Sequence, residues 1–193
     1  MKAKRTLALV LCMVLLVAGS VLGTLAYLTS TTGVVENTFT VGKVEITLDE
    51  AKVNADGTAV EGADRVTENK YHLIPGHSYI KDPTVHVDDE SENCWLFVKV
   101  ENGLADIIDT TTIEAQMDEN DWDVIDADNG IYAYERIATK ADTNVVVFEN
   151  FKLKGDADVA KYADAKITVT AYAVQADGFT TAAAAWAAAP ATW

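Results

Sequence analysis

From Lys43 onward the apolar residues recur at every second position, and this period constrains the fold more than any other feature of the chain. A period of two sends successive side chains to opposite faces of an extended strand, which buries one face only when sheets pack together. Across 43–49, Val44, Ile46 and Leu48 share one face, while Lys43, Glu45, Thr47 and Asp49 share the other. Across 94–101, Cys94, Leu96, Val98 and Val100 face one way and Trp95 and Phe97 the other, so this strand is expected to be central and covered on both sides at its start. Across 165–175, Ile167, Val169, Ala171 and Ala173 oppose Thr168, Thr170, Tyr172 and Val174, a composition suited to a pleated surface.

Further strands are expected within 71–74, 79–87, 122–126, 131–137 and 145–153. Asp128-Asn129-Gly130 joins two of them, and Asn-Gly accepts positive φ at both central positions of a tight hairpin. Pro75-Gly76 marks a second turn, and Pro83, lacking an N–H, belongs at an edge or bulge. Helical periodicity is scarce. Residues 104–109 and 112–117 suffice for a turn or two, and 181–189 form an Ala-rich run stopped by Pro190. Closely spaced strands without crossover helices predict an all-β chain, an antiparallel β-sandwich of jelly-roll type with short helical insertions.

Lys2, Lys4 and Arg5 precede an uncharged stretch from Thr6 to Val35. Basic residues before an apolar run read as an export signal. Thr24-Leu25-Ala26 supplies small residues for a signal peptidase, which places the cut between Ala26 and Tyr27, with Gly23 and Ser30 as alternative sites. The expected organisation is a signal peptide over 1–26, an N-terminal arm over 27–42, a β-sandwich over 43–176 and an Ala-rich tail over 177–193. The signal carries three of the 15 basic residues and none of the 30 acidic ones, so the remainder is more acidic than the −15 of the whole chain. Such a charge repels phosphate backbones and anionic lipid, which excludes nucleic-acid binding and leaves membrane contact only before signal cleavage.

Candidate chemistry is sparse. Cys12 lies in the signal after Leu11, where lipidation requires a small residue, and Cys94 then stands alone in an apolar strand as a buried, inert thiol. His72 and His77 are five apart with Pro75-Gly76 between them and no glutamate, unlike a helical zinc pair, although His72 and His86 could converge across strands. Residues 54–58 and 126–130 resemble fragments of calcium loops without the closing glutamate. No catalytic residue, cofactor or metal ligand is therefore assigned. Trp122 with Tyr132 or Tyr134 would supply an aromatic platform for a ligand-binding or adhesion module.

Gly23 to Ser30, the block Asn37 to Leu48, Leu73-Ile74-Pro75-Gly76 before Lys81-Asp82-Pro83 and the Trp95 strand, and Ile167 to Ala176 together resemble the TasA/camelysin family of proteins with SipW-type signal peptides. The resemblance implies a jelly-roll subunit of extracellular biofilm-matrix fibres on a Gram-positive cell surface, exported and cut by a dedicated signal peptidase. Its implied partners are further copies of itself and matrix or accessory proteins. The family also includes proteins described as metalloproteases, but no zinc site is recognisable here, so that role stands only as the alternative. Residues 27–42 place Val35, Phe39 and Val41 on one face of an extended segment, which would complete a neighbour's sheet as a donor strand or fold back on its own domain.

Overall fold

The computed structural model describes residues 42–109 and 112–189. The cleavage residues Thr24, Ala26 and Tyr27 and the arm residues Val35, Phe39 and Val41 lie outside them. The described chain is mostly β-structure, with every strand pair antiparallel. Its strands are β1 (Ile46–Asp49), β2 (Ser78–Ile80), β3 (Thr84–Val87), β4 (Cys94–Asn102), β5 (Trp122–Asp126), β6 (Ile131–Tyr134), β7 (Val145–Val146), β8 (Asn150–Lys152) and β9 (Ile167–Gln175). Two short helices, α1 (Ile113–Glu119) and α2 (Ala182–Ala187), each begin at a threonine, Thr112 and Thr181, whose hydroxyl accepts a backbone N–H in the first turn.

One sheet runs β1-β3-β7 and another β5-β6-β4-β9, while β2 and β8 form a separate two-stranded ladder. Side chains from both larger sheets meet in a single core that includes Val85, Val87, Leu96, Val98, Val145 and Phe151. β4 is covered on its other face as well. There Trp95 and Phe97 pack with Ala133 and Ala185, and the Phe97 ring lies 5.2 Å from the Trp186 ring. The Ala-rich segment thus packs on the sheet, because small side chains let α2 approach the apolar outer row of β4.

The expected strand at 71–74 does not form. Its backbone is taken instead by side-chain and loop partners: the Tyr79 hydroxyl donates to His72 O (2.8 Å) and accepts from Ile74 N (2.6 Å), and His72 N donates to Ala55 O (2.7 Å). Tyr79 stacks on Phe151 with centroids 4.9 Å apart, and Tyr71 meets both rings edge-on. The 79–87 run splits around Lys81-Asp82-Pro83, and 145–153 splits into β7 and β8. The β5–β6 turn also differs from a two-residue hairpin. It spans Ala127–Gly130 with only Gly130 at positive φ (65°), because the Asp126 carboxylate accepts from both Asn129 N (3.2 Å) and Asn129 Nδ2 (2.8 Å) and holds Asn129 at negative φ.

Gly57 shows how closely the aromatic cluster is surrounded. At φ +81° a Cβ there would lie 2.5 Å from the Tyr79 ring, whereas Gly62, at φ +71°, has open space around it. Gly62→Ala should therefore cost only the left-handed backbone penalty of about 1–2 kcal/mol. Gly57→Ala adds overpacking of roughly 1–3 kcal/mol. Urea denaturation of the two variants would show the difference.

Candidate functional site: an open seam between two strand edges

The two large sheets leave four edge strands, and three of them are shortened or blocked. β7 has two residues, and the Trp122 indole donates to Val146 O (2.9 Å) beside it. Gln116 of α1 acts as a surrogate strand, its Oε1 accepting from Glu149 N (3.1 Å) and Asn150 N (3.2 Å) and its Nε2 donating to Asn150 O (2.9 Å). β5 carries Asp123 and Asp126 and an irregularity between Val124 and Asp126. Charges and bulges of this kind blunt an edge against further pairing. β1 is blocked at its end, where Glu50 and Val66 exchange two hydrogen bonds of 2.8 Å.

β9 has none of these devices. Its nine residues are uncharged and pair along their whole length with β4. Bonds from Gly103 N to Lys166 O and from Ala176 N to Asn93 O, both 2.8 Å, fix the phase of that ladder. Hydrogen-bonding positions alternate in an antiparallel pair, so 166, 168, 170, 172, 174 and 176 address β4. Ile167, Val169, Ala171, Ala173 and Gln175 therefore turn their N–H and C=O groups outward, and among the described residues these meet no partner. The same parity in β1 turns Ile46 and Leu48 outward.

β1 and β9 run within 8 Å of one another, Cα to Cα, without joining in a sheet. Ile46, Leu48, Ile167, Val169, Ala171 and Ala173 are consequently only half-buried, although they pack against the main core. Part of this seam widens into a groove of about 1010 Å³, walled by Leu48, Tyr71, Leu73, Leu104, Phe151, Tyr162, Ile167 and Val169. Its lip is polar. Lys81 Nζ donates to Glu50 Oε2 (2.5 Å), and Arg65 bonds to both Asp49 and Asp82, reaching Asp82 Oδ2 at 2.9 Å. Burial pushes the Asp49 carboxyl up, but bonds from Arg65 and His86 outweigh it and hold the group below the usual carboxylate range. Burial, with Glu50 and Asp82 nearby, pushes the Tyr71 phenol up.

The aromatic platform does not exist as a surface. Trp122 and Tyr134 are 2% and 6% exposed and pack together in the core, because the indole N–H is used on Val146 O, while Tyr132 is half-buried. The histidines do not converge. His77 Nε2 meets Asp56 O (2.8 Å), His86 lies between Asp49 and Thr143 O, and His72 is exposed. Among the described residues no group of three His, Cys, Asp or Glu is placed to hold a metal. Cys94 is fully buried, and burial, with Asp142 nearby, pushes its thiol up to about 11. The sequence pattern showed the β9 strand but not that its edge is unpaired among the described residues, for which the nine-residue run without charge was the available signal. The chain matches no family model, no curated protein and no solved structure.

Since the folded Asp49 carboxyl is held low, its stabilising contribution is present above the unfolded value of roughly 3.9 and is lost as pH falls through the lower folded value. Asp49→Asn should remove that part of the acid dependence, on the order of 1 kcal/mol. Denaturation midpoints measured from pH 7 down to pH 2 would reveal the flatter curve.

Proposed function

We propose that this chain is a secreted structural subunit of extracellular matrix fibres, a jelly-roll-type β-sandwich whose open seam accepts residues 27–42 of a neighbouring copy as an added strand. The observation that carries this reading is the edge of β9, nine uncharged residues beside an apolar groove, with outward backbone groups that meet no partner among the described residues, while the edges of β5 and β7 are blunted. Main-chain hydrogen bonds to the outward groups of β9 supply affinity, and alternate side chains entering the groove supply register. The arm alternates suitably, with Val35, Phe39 and Val41 on one face and Glu36, Thr38 and Thr40 on the other.

The lengths are compatible. Sixteen extended residues (27–42) reach roughly 50 Å, and a nine-residue edge spans about 30 Å, so an arm anchored to one subunit covers the edge of the next. Donor and acceptor surfaces differ, so the contact is heterologous and propagates into a filament. Signal cleavage frees the arm, which restricts assembly to the exported protein.

Phe39→Asp would place an unpaired charge in an apolar slot, a cost of several kcal/mol. Thr38→Asp puts the same charge on the opposite face. Negative-stain microscopy should show filaments from protein beginning at Tyr27 and from Thr38→Asp, and monomers from Phe39→Asp and from protein beginning at Lys43. Equal polymerisation of the two Asp variants would overturn the proposal, and an unfolded Phe39→Asp monomer would assign the arm to its own domain.

A further inference from the structure

Glu50, at the end of the β1 edge, is 5% exposed, and its two carboxylate oxygens are held by different side chains. Lys81 Nζ lies 2.5 Å from Oε2, and Asn69 Nδ2 lies 2.9 Å from Oε1. The lysine side chain is itself only 11% exposed. Asn69 is fixed at both ends of its amide: Val53 N donates to Oδ1 (3.0 Å), and Nδ2 also donates to Ala51 O (2.8 Å). An amine, a carboxamide and a carboxylate bridging them thus share one recess, alongside Leu48, Tyr71, Pro83 and Phe151.

A buried ion pair is by itself a poor source of stability, because desolvation offsets its attraction. A lysine amine is, however, a competent nucleophile once it loses its proton, and a positioned carboxylate is the group to take it. We propose that Lys81 and Asn69 condense into an isopeptide bond, with Glu50 as the proton shuttle.

Glu50 removes a proton from the Lys81 ammonium, and the freed electron pair of Nζ attacks Asn69 Cγ. Negative charge gathers on Asn69 Oδ1, where the Val53 N–H already points. Glu50 passes its proton to Nδ2, to which Oε1 is already bonded, and the Cγ–Nδ2 bond breaks to release ammonia. A second proton leaves Nζ and remains on Glu50. The products are a neutral amide, a neutral carboxylic acid and ammonia, so the buried charge of the starting pair disappears without any oxidant or cofactor. The new bond closes the segment from Asn69 to Lys81 into a ring. Since this segment supplies Tyr71 and Leu73 to the groove wall, the ring would brace that wall whatever occupies it. The inference does not depend on the fibre reading.

Intact-mass spectrometry of the purified protein should show one ammonia less than its sequence requires. Proteolysis should give a branched peptide joining Asn69 to Lys81. Glu50→Gln and Lys81→Arg should both restore the full mass while keeping the far-ultraviolet circular dichroism of the wild type, and both should melt several degrees lower. Lys81→Arg retains a cation for Glu50, so it keeps the test decisive should Glu50→Gln fail to fold. Asn102-Gly103 and Asn129-Gly130 also lose ammonia when they form succinimides. An ammonia loss that persists in Lys81→Arg, or a wild type that keeps its full mass after prolonged warming, overturns the proposal.

Discussion

β4 must satisfy two demands at once, since it is covered by apolar side chains on both faces and leaves no water for its backbone. Its hydrogen bonds therefore have to come from strands on both edges, which β6 and β9 provide. The inner row, Leu96 and Val98 among it, then faces the β1-β3-β7 sheet, and the outer row recruits Phe179, Ala185 and Trp186 from the C-terminal segment. Most of the remaining architecture is a consequence of enclosing this one strand.

Enclosure is uneven. On one side the sheets are stitched by side chains that imitate strand partners, the Trp122 indole on Val146 O and the Gln116 amide on the backbone of Glu149 and Asn150. On the other, β1 and β9 lie side by side without a ladder. Among the described residues the outward backbone groups of β9 meet no partner, Val169 and Ala171 stay half-buried, and β9 carries no charge. The asymmetry between the stitched side and the open side makes a directional, propagating assembly a physically coherent reading of the chain.

No disulfide among the described residues holds the groove in shape. The described chain has Cys94 as its free cysteine, and it is buried. The Arg65 network ties β1 to the loop before β3 through Asp49, Asp82 and Thr84. Beside it the Glu50 site places a lysine and an asparagine on one carboxylate, where a covalent bond would do for the groove wall what a disulfide does in many secreted domains.

The sequence alone determined that the long segments 94–101 and 165–175 are extended and which of their faces is apolar, because side-chain alternation is a local property of the backbone. β1, β4 and β9 were legible in this way; composition marked a turn at Asn129-Gly130 and a turn or two of helix at 112–117, but 181–189 read only as an Ala-rich run and is a helix packed on β4. The segment 71–74 alternates too, yet it is not a strand, since the Tyr79 hydroxyl competes for its backbone from a distance in sequence. Trp122 and Tyr134 offered an aromatic surface on paper and lie in the core, because an indole N–H finds its acceptor on β7. Only the tertiary structure decided which strand edges stay open and which of the lysines and asparagines share a buried carboxylate. Both depend on which non-adjacent segments come together, and hydrogen-bond parity and proximity across a fold leave no trace in a one-dimensional pattern.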